Sequence, residues 1–306
     1  MKGPEIQGQT PRGLLAGASR VRKRVLYRNP QWTYAALTAV AGVFLMIFFG
    51  LPLTRILKQA FFSPTFTWVH FHEIFNDPHG LYLGVFLTTF RVAATVTLLC
   101  LVLGYPMAAL LLLAKGRLRQ ALLICILLPF WTSVLVRTYA WMILLGKNGL
   151  VNALLVGIGI IEQPVQLIFN TTGAVIGMTH VMLPYMIFPL YSVMRNIDSG
   201  IMRAAYNLGA KPWQAFLKVF LPLTLPGIYA GGLIVFVISL GFFITPALMG
   251  GQKDIMVAVL IERQVMETLE WGLSAGLSLI LLVATLLLTL IMRRFSKVRG
   301  IFEQGG

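Results

Sequence analysis

RNIDSGIMRAAYNLGAKPWQAFLKVFLPLTLPG, running from Arg195 to Gly227, lies between two long apolar runs, and its reading decides how the rest of the chain is understood. Asp198 or Ser199 can cap a helix, and Gly209 can end it. Pro212 then suits the first turn of a second helix, which places Trp213, Phe216, Leu217 and Phe220 on one face. The spacing predicts a compact helix–turn–helix whose apolar side chains meet water at a membrane boundary. Such a knob needs a partner, and a groove in a soluble protein suits it.

Outward from this loop the chain is built for lipid. Of its 306 residues 58% are apolar and only 11% are charged, and the mean hydropathy is +0.82. A soluble domain carries about a quarter charged residues. A spanning helix needs roughly 20 mostly apolar residues. Runs of that length are read at about Trp32–Thr54, Leu81–Ala114, Gln120–Gly146, Thr172–Met194, Leu223–Met249 and Trp271–Met292, interrupted by charge only at Arg91 and Arg137. The run Leu150 to Ile161 is short and Gly-rich and reads as an interfacial or re-entrant helix. Pro106, Pro129, Pro184, Pro189 and Pro246 predict kinks. Residues 55–80, with His70, His72, Glu73, Asp77 and His79, read as a solvated exterior loop, because the histidines lack the tight spacing of a metal site. Cys100 and Cys125 fall inside apolar runs and read as free buried thiols. The first thirty residues are polar and basic and the first apolar run is long, so no cleavable signal peptide is expected.

The net charge of +15 is sorted by side of the membrane, which argues against nucleic acid as a partner. With the N-terminus in the cytoplasm, the exterior segments hold only Arg55, Lys58, Lys147, Lys253 and Arg263 of the 25 Lys and Arg, and seven of the ten acids. Positive-inside bias then predicts six spans with both termini cytoplasmic. The division is a basic arm at 1–31, a transmembrane domain at 32–292 with the decisive loop at about 195–222, and a basic tail at 293–306. The arm lies against anionic lipid.

Ala204-Ala205, Gly209 and Leu221-Pro222 resemble the coupling loop of ABC importer permeases. In that family the loop carries Glu-Ala-Ala, a following Gly and a distal Leu-Pro, and docks into the ATPase subunit. Arg203 stands where the family has Glu, so a salt bridge made by that Glu is not implied here. Leu128 to Ser133, Arg137 to Trp141, Gly149 to Asn152, Leu183 to Met186, Pro189 to Tyr191 and Gly241 to Gly251 are similar to the spermidine/putrescine-type permease subunits. Together the matches cover roughly residues 80–290. The resemblance implies an all-α integral membrane protein with type I ABC importer permease architecture, set in a bacterial inner membrane. It also implies an ATP-binding subunit acting as a dimer, a second homologous permease and a periplasmic solute-binding protein. The coupling residues it assigns are Arg203, Ala204, Ala205, Gly209, Pro212, Leu221 and Pro222.

The chain has no Gly-x-x-x-x-Gly-Lys-Ser/Thr phosphate loop; Gly146-Lys147-Asn148 lacks the upstream Gly and the hydroxyl. ATP and Mg are therefore expected on the partner ATPase and no cofactor on this chain, which is not itself an enzyme. No Asp or Glu lies in any span, whereas proton- and sodium-coupled carriers commonly use embedded acids. That weighs against a stand-alone secondary carrier. The lack of a sizeable soluble domain weighs against a scaffold or sensor anchor. Arg91 and Arg137 either snorkel outward or line the pathway or lock the bundle. Beside a polycation, Arg137 fits a structural or gating role better than solute contact. Thr132 belongs with Arg137, and Trp131, Tyr139, Trp141 and Tyr185 are candidates for cation–π contact, with packing as the plainer reading. His180 reads as a core histidine hydrogen-bonded to a neighbour. Polyamine is the first expectation for the solute; ferric iron, a phosphonate or another organic cation remain alternatives.

Overall fold

In hydrocarbon an apolar run must satisfy every backbone group internally, and the α-helix does so within one segment. The computed structural model describes residues 30–62, 65–252 and 254–303. Nearly all of the arm read at 1–31, the end of the tail and Lys253 lie outside the described residues. The helices are α1 (Pro30–Phe61), α2 (Val69–Phe75), α3 (Leu81–Leu113), α4 (Gly116–Trp131), α5 (Val134–Leu145), α6 (Leu150–Gly157) and α7 (Thr171–Asn196). They continue with α8 (Ser199–Asn207), α9 (Pro212–Ala215), a π-turn (Phe216–Phe220), α10 (Leu221–Leu240), α11 (Ile244–Met249), α12 (Val257–Met266) and α13 (Trp271–Glu303). Among the described residues no strand forms beyond an isolated bridge between Phe62 and Phe66.

Contacts divide the chain into Met1–Ile56 and Leu57–Gly306. In the first unit α1 begins, with exposed apolar side chains along its length, as a helix in hydrocarbon permits. The second unit is organised around α7, the most enclosed of the long helices, with two-thirds of its apolar window buried. Met186, Ile187 and Leu190 of α7 are fully buried. Helices in lipid gain little from apolar burial and associate through close packing. Here Met186 supplies the contact: a Cβ at Gly104 of α3 would lie 3.1 Å from its Cγ, and one at Gly231 of α10 would lie 2.8 Å from its sulfur. Both neighbours approach α7 only because these two positions lack side chains.

Among the described residues six helical segments are long and apolar enough to cross a membrane, in the number expected, but three boundaries change. The expected third span, Gln120–Gly146, is not continuous. Pro129 lacks the N–H an interior turn needs, and the helix ends at Trp131, with Thr132 and Ser133 extended. At sixteen residues α4 reaches about 24 Å, short of a hydrocarbon core of about 30 Å. The candidate span falls instead on Val134–Gly157, joining α5 to α6. The fifth runs from Pro212 to Leu240 rather than Leu223 to Met249. Pro246 then sits in the first turn of α11, where its missing donor is tolerated. Residues 55–80 are not simply a solvated loop, because α1 extends to Phe61 and α2 buries Ile74 among Leu260, Leu273 and Leu277. Cys100 is buried as expected, but Cys125 is exposed on the protein surface.

Candidate functional site

Two places combine unusual geometry with the residues singled out by sequence. The first is the knob. Asp198 caps α8, its side chain accepting from the Gly200 N–H at 2.8 Å. The helix closes in a Schellman turn: the Gly209 N–H donates to the Tyr206 carbonyl (2.9 Å) and the Ala210 N–H to that of Ala205 (3.1 Å). Gly209 has φ +84°, the left-handed region that a residue with a Cβ disfavours. Pro212 opens the next helix at its first turn.

The expected single apolar face over Trp213, Phe216, Leu217 and Phe220 is split. A π-turn spans Phe216 to Phe220 and closes with the Leu221 N–H donating to the Phe216 carbonyl. Pro222 explains it. In a regular helix its ring would press on the Lys218 carbonyl, and its missing N–H would leave that carbonyl unpaired; the wider turn relieves the crowding. Phe216, though 39% exposed, sets its ring edge-on to Tyr105 of α3 at 6.1 Å, while Tyr105 also shares a hydrogen bond with Thr224 at 3.1 Å. Trp213 and Leu217 face out. Together with Leu208, 88% exposed beside the turn, they form the apolar surface of the knob. Ala204 is exposed and Ala205 partly so, which makes this side of α8 flat enough for close approach.

The second place is a cavity of about 220 Å³ lined by Phe130, Thr132, Arg137, Tyr185, Ile238 and Phe242, among others. It lies where two interruptions face one another across α7: the break between α4 and α5 at Thr132–Ser133, and the end of α10 at Gly241. Non-helical backbone at membrane depth is tolerated where it is enclosed by protein or lines a cavity. Thr132 satisfies the break by donating its hydroxyl to the Pro129 carbonyl at 3.1 Å. Arg137 brings the one formal charge to this lining, and its Nε is buried without a hydrogen-bond partner.

Three of the seven pathway candidates, Thr132, Arg137 and Tyr185, therefore meet. Trp141, one turn beyond Arg137, packs its ring against the edge of His180 at 5.7 Å. Trp131 (90% exposed) and Tyr139 (53%) point away, since each residue advances about 100° around a helix. Arg91 is exposed and does not line the cavity. His180 departs from the expected hydrogen-bonded core histidine, because its Nδ1 is buried without a partner.

Sequence reasoning passed over Asn152 as a structural element. It is 1% exposed, donates to the Gly146 and Val165 carbonyls and accepts from the Val165 N–H, all at 3.0 Å. It thereby folds residues 146–165 over the end of α5. Gly149, three residues earlier, has no room for a Cβ, which would lie 2.4 Å from the Ile143 and Leu144 carbonyl oxygens.

The family described as binding-protein-dependent transport system inner membrane component matches over residues 100–298. The spermidine/putrescine transport system permease protein PotB of Salmonella typhimurium is 37% identical over 222 residues, 72% of this chain and 77% of that protein. PotB of Haemophilus influenzae is 33% identical over 238 residues, 78% of this chain and 82% of that protein. The molybdenum transport system permease protein ModB of Mycobacterium bovis is 30% identical over 262 residues, 85% of this chain and 92% of that protein. Among solved structures, a bacterial alginate ABC transporter in complex with alginate pentasaccharide-bound periplasmic protein superposes with TM-score 0.68 at 18% identity. That match covers 87% of this chain and 94% of the other, and it speaks for the fold alone.

Proposed function

Because this chain belongs to the family of binding-protein-dependent transport system inner membrane components, we propose that it lines half of the translocation pathway of an importer driven by a separate ATPase, and that the cargo is a polyamine. The chain is an inner-membrane ABC permease, a transport component rather than an enzyme. ATP and Mg reside on a pair of partner subunits. A second, homologous permease completes the pathway. The periplasmic binding protein delivers its solute to segments 62–80, 158–170 and 251–270, and both termini face the cytoplasm, where the basic arm and the tail from 293 meet anionic lipid.

The observation that carries this reading is the knob: a capped helix, a left-handed glycine and exposed Leu208 and Trp213, joined without a break to a span that ends at the cavity. Closure of the ATPase pair on nucleotide moves the knob, and the two permeases rock between inward- and outward-open states. Polyamine as cargo is supported by the names and identities of the PotB relatives. In this half Tyr185 offers a ring face and carbonyl groups offer further contacts. Arg137 repels the cargo and so serves the gate. A second reading, another small solute, is favoured by the positive sign of the cavity's charge.

The test is reconstitution of the permease pair with its ATPase and binding protein in vesicles, followed by uptake of labelled spermidine and putrescine. ATP-dependent uptake that also requires the binding protein is the expected result. A thermal-shift screen of the binding protein against polyamines, ferric iron, phosphonates and oxyanions settles the cargo. The reading fails if the chain, purified under conditions that preserve membrane complexes, carries no nucleotide-hydrolysing companion.

A further inference from the structure

We infer that the knob is a charge-selective plug: Arg203 seeks a carboxylate on the rim of the ATPase groove that receives Leu208 and Trp213. The inference rests on the knob being the docking element and adds the chemistry its partner must show.

Arg203 is exposed at the middle of α8. Its intrachain contact is an Nη2–H to the Ser199 hydroxyl at 3.5 Å, the outer limit of a hydrogen bond. The positions one turn away on either side are Ser199, Gly200, Tyr206 and Asn207, so no acid reaches it along the helix. Asp198 is the only acid between residues 195 and 222, and it already accepts from the Gly200 N–H at the helix cap. Against it stand Arg195, Arg203, Lys211 and Lys218, all exposed.

Lipid accounts for only part of this excess. Arg195 lies in the last turn of one span and Lys218 in the opening turns of the next, where the positive-inside bias places cations. Lys211 immediately precedes the span that opens at Pro212, whereas Arg203 lies seven residues past Asn196 and nine before Pro212, at the middle of α8. Along the loop Arg203 precedes exposed Leu208 by five residues, and Lys211 lies between Leu208 and exposed Trp213. A cation beside an apolar anchor is the arrangement of a protein interface, with a hydrophobic centre and a charged rim. Rim charges act chiefly on encounter rate, salt dependence and exclusion of wrong partners. A groove with a basic residue at the matching point would therefore reject this knob however well its apolar floor fits.

The experiment measures the affinity of the reconstituted permease pair for its cognate ATPase, in neutral-lipid and in anionic-lipid vesicles, over a range of salt. It compares the wild type with Arg203→Lys, Arg203→Gln and Arg203→Glu. The Lys variant is expected to stay within about twofold of wild type. The Gln variant should bind about three- to tenfold more weakly with a flatter salt response, and the Glu variant at least about tenfold more weakly, in both lipids. Wild-type affinity for the Glu variant overturns the proposal, and so does a loss seen only in anionic vesicles, which assigns Arg203 to lipid. Should the Glu variant fail to insert, the Gln and Lys pair decides through the salt response. Failure of the wild type itself to capture the ATPase would instead overturn the docking role of the knob.

Discussion

Gly209 is the point at which a single atom can test the knob. Its φ of +84° places it in the left-handed region, and an added Cβ there would meet nothing within 4 Å. Substitution therefore acts through the backbone and not through a clash. A residue with a Cβ pays about 1–2 kcal/mol in that conformation, and a β-branched one more. A penalty of that size is a factor of about 5–30 in the ratio of closed to open turn. Opening it sacrifices the hydrogen bonds from Gly209 to Tyr206 and from Ala210 to Ala205. Gly209→Val should lower solute-stimulated ATP hydrolysis in reconstituted vesicles at least about tenfold. Gly209→Ala should fall between Val and wild type. Gly209→Asn, whose side chain tolerates left-handed backbone, should stay near wild type. Insertion and detergent stability should be unchanged, because the turn is exposed and lies outside the packing around Met186. Normal coupling in the Val variant would refute the reasoning; an Asn variant as poor as Val would assign the effect to the side chain rather than to φ.

Arg137 places one positive charge on a cavity of about 220 Å³; at an effective dielectric of about 20 and a separation of about 6 Å, a monovalent cation there meets about 3 kcal/mol of repulsion. Arg137→Gln should raise ATP-independent rubidium flux through the assembled complex at least about tenfold, and an unchanged flux would remove Arg137 from the gate. Asn152→Ala deletes three hydrogen bonds at a buried position. At about 1 kcal/mol each, plus the cost of stranding the Val165 N–H, this predicts a loss of about 2–4 kcal/mol, read as faster proteolysis within 158–165; Asn152→Asp keeps only the acceptor and should rescue little. At Asp77, donation from the His79 N–H, aided by that of Leu81, holds the carboxyl below its ordinary value. A depressed carboxyl contributes stability above its unfolded value of about 3.9, lost as pH falls through the folded value. Hydrogen-exchange protection at the start of the helix from Leu81 should therefore persist at pH 6 and weaken below about pH 4, and equal protection at both would show that the cap does not matter.

What the sequence made legible follows from the range of the physics involved. Asp198, Gly209 and Pro212 act within a turn of their own position, and their roles in α8 and α9 could be read from neighbours alone. The span count was legible because lipid demands length and apolarity over a whole segment. The cavity was only half legible, because membership depends on helical phase. Arg137 and Trp141 are a turn apart and share a face, whereas Tyr139 between them turns outward. The bond between Asn152 and Val165 joins two irregularly connected segments, and no periodicity marks such a pair. The π-turn had a visible cause in Pro222, but the contact of Phe216 with Tyr105 needed the packed neighbour. That contact matters most for mechanism. From Pro212 to Leu240 the chain is one helical rod of 29 residues, about 43 Å long, with Trp213 exposed at the knob end and Ile238 on the cavity wall. Tyr105 holds the rod near its knob end through Phe216 and Thr224. If the knob is the docking element, a displacement imposed on it would reach the cavity as a tilt about that contact, with the π-turn and the interior Pro226 as the places along the rod where the hydrogen-bond ladder is loosened.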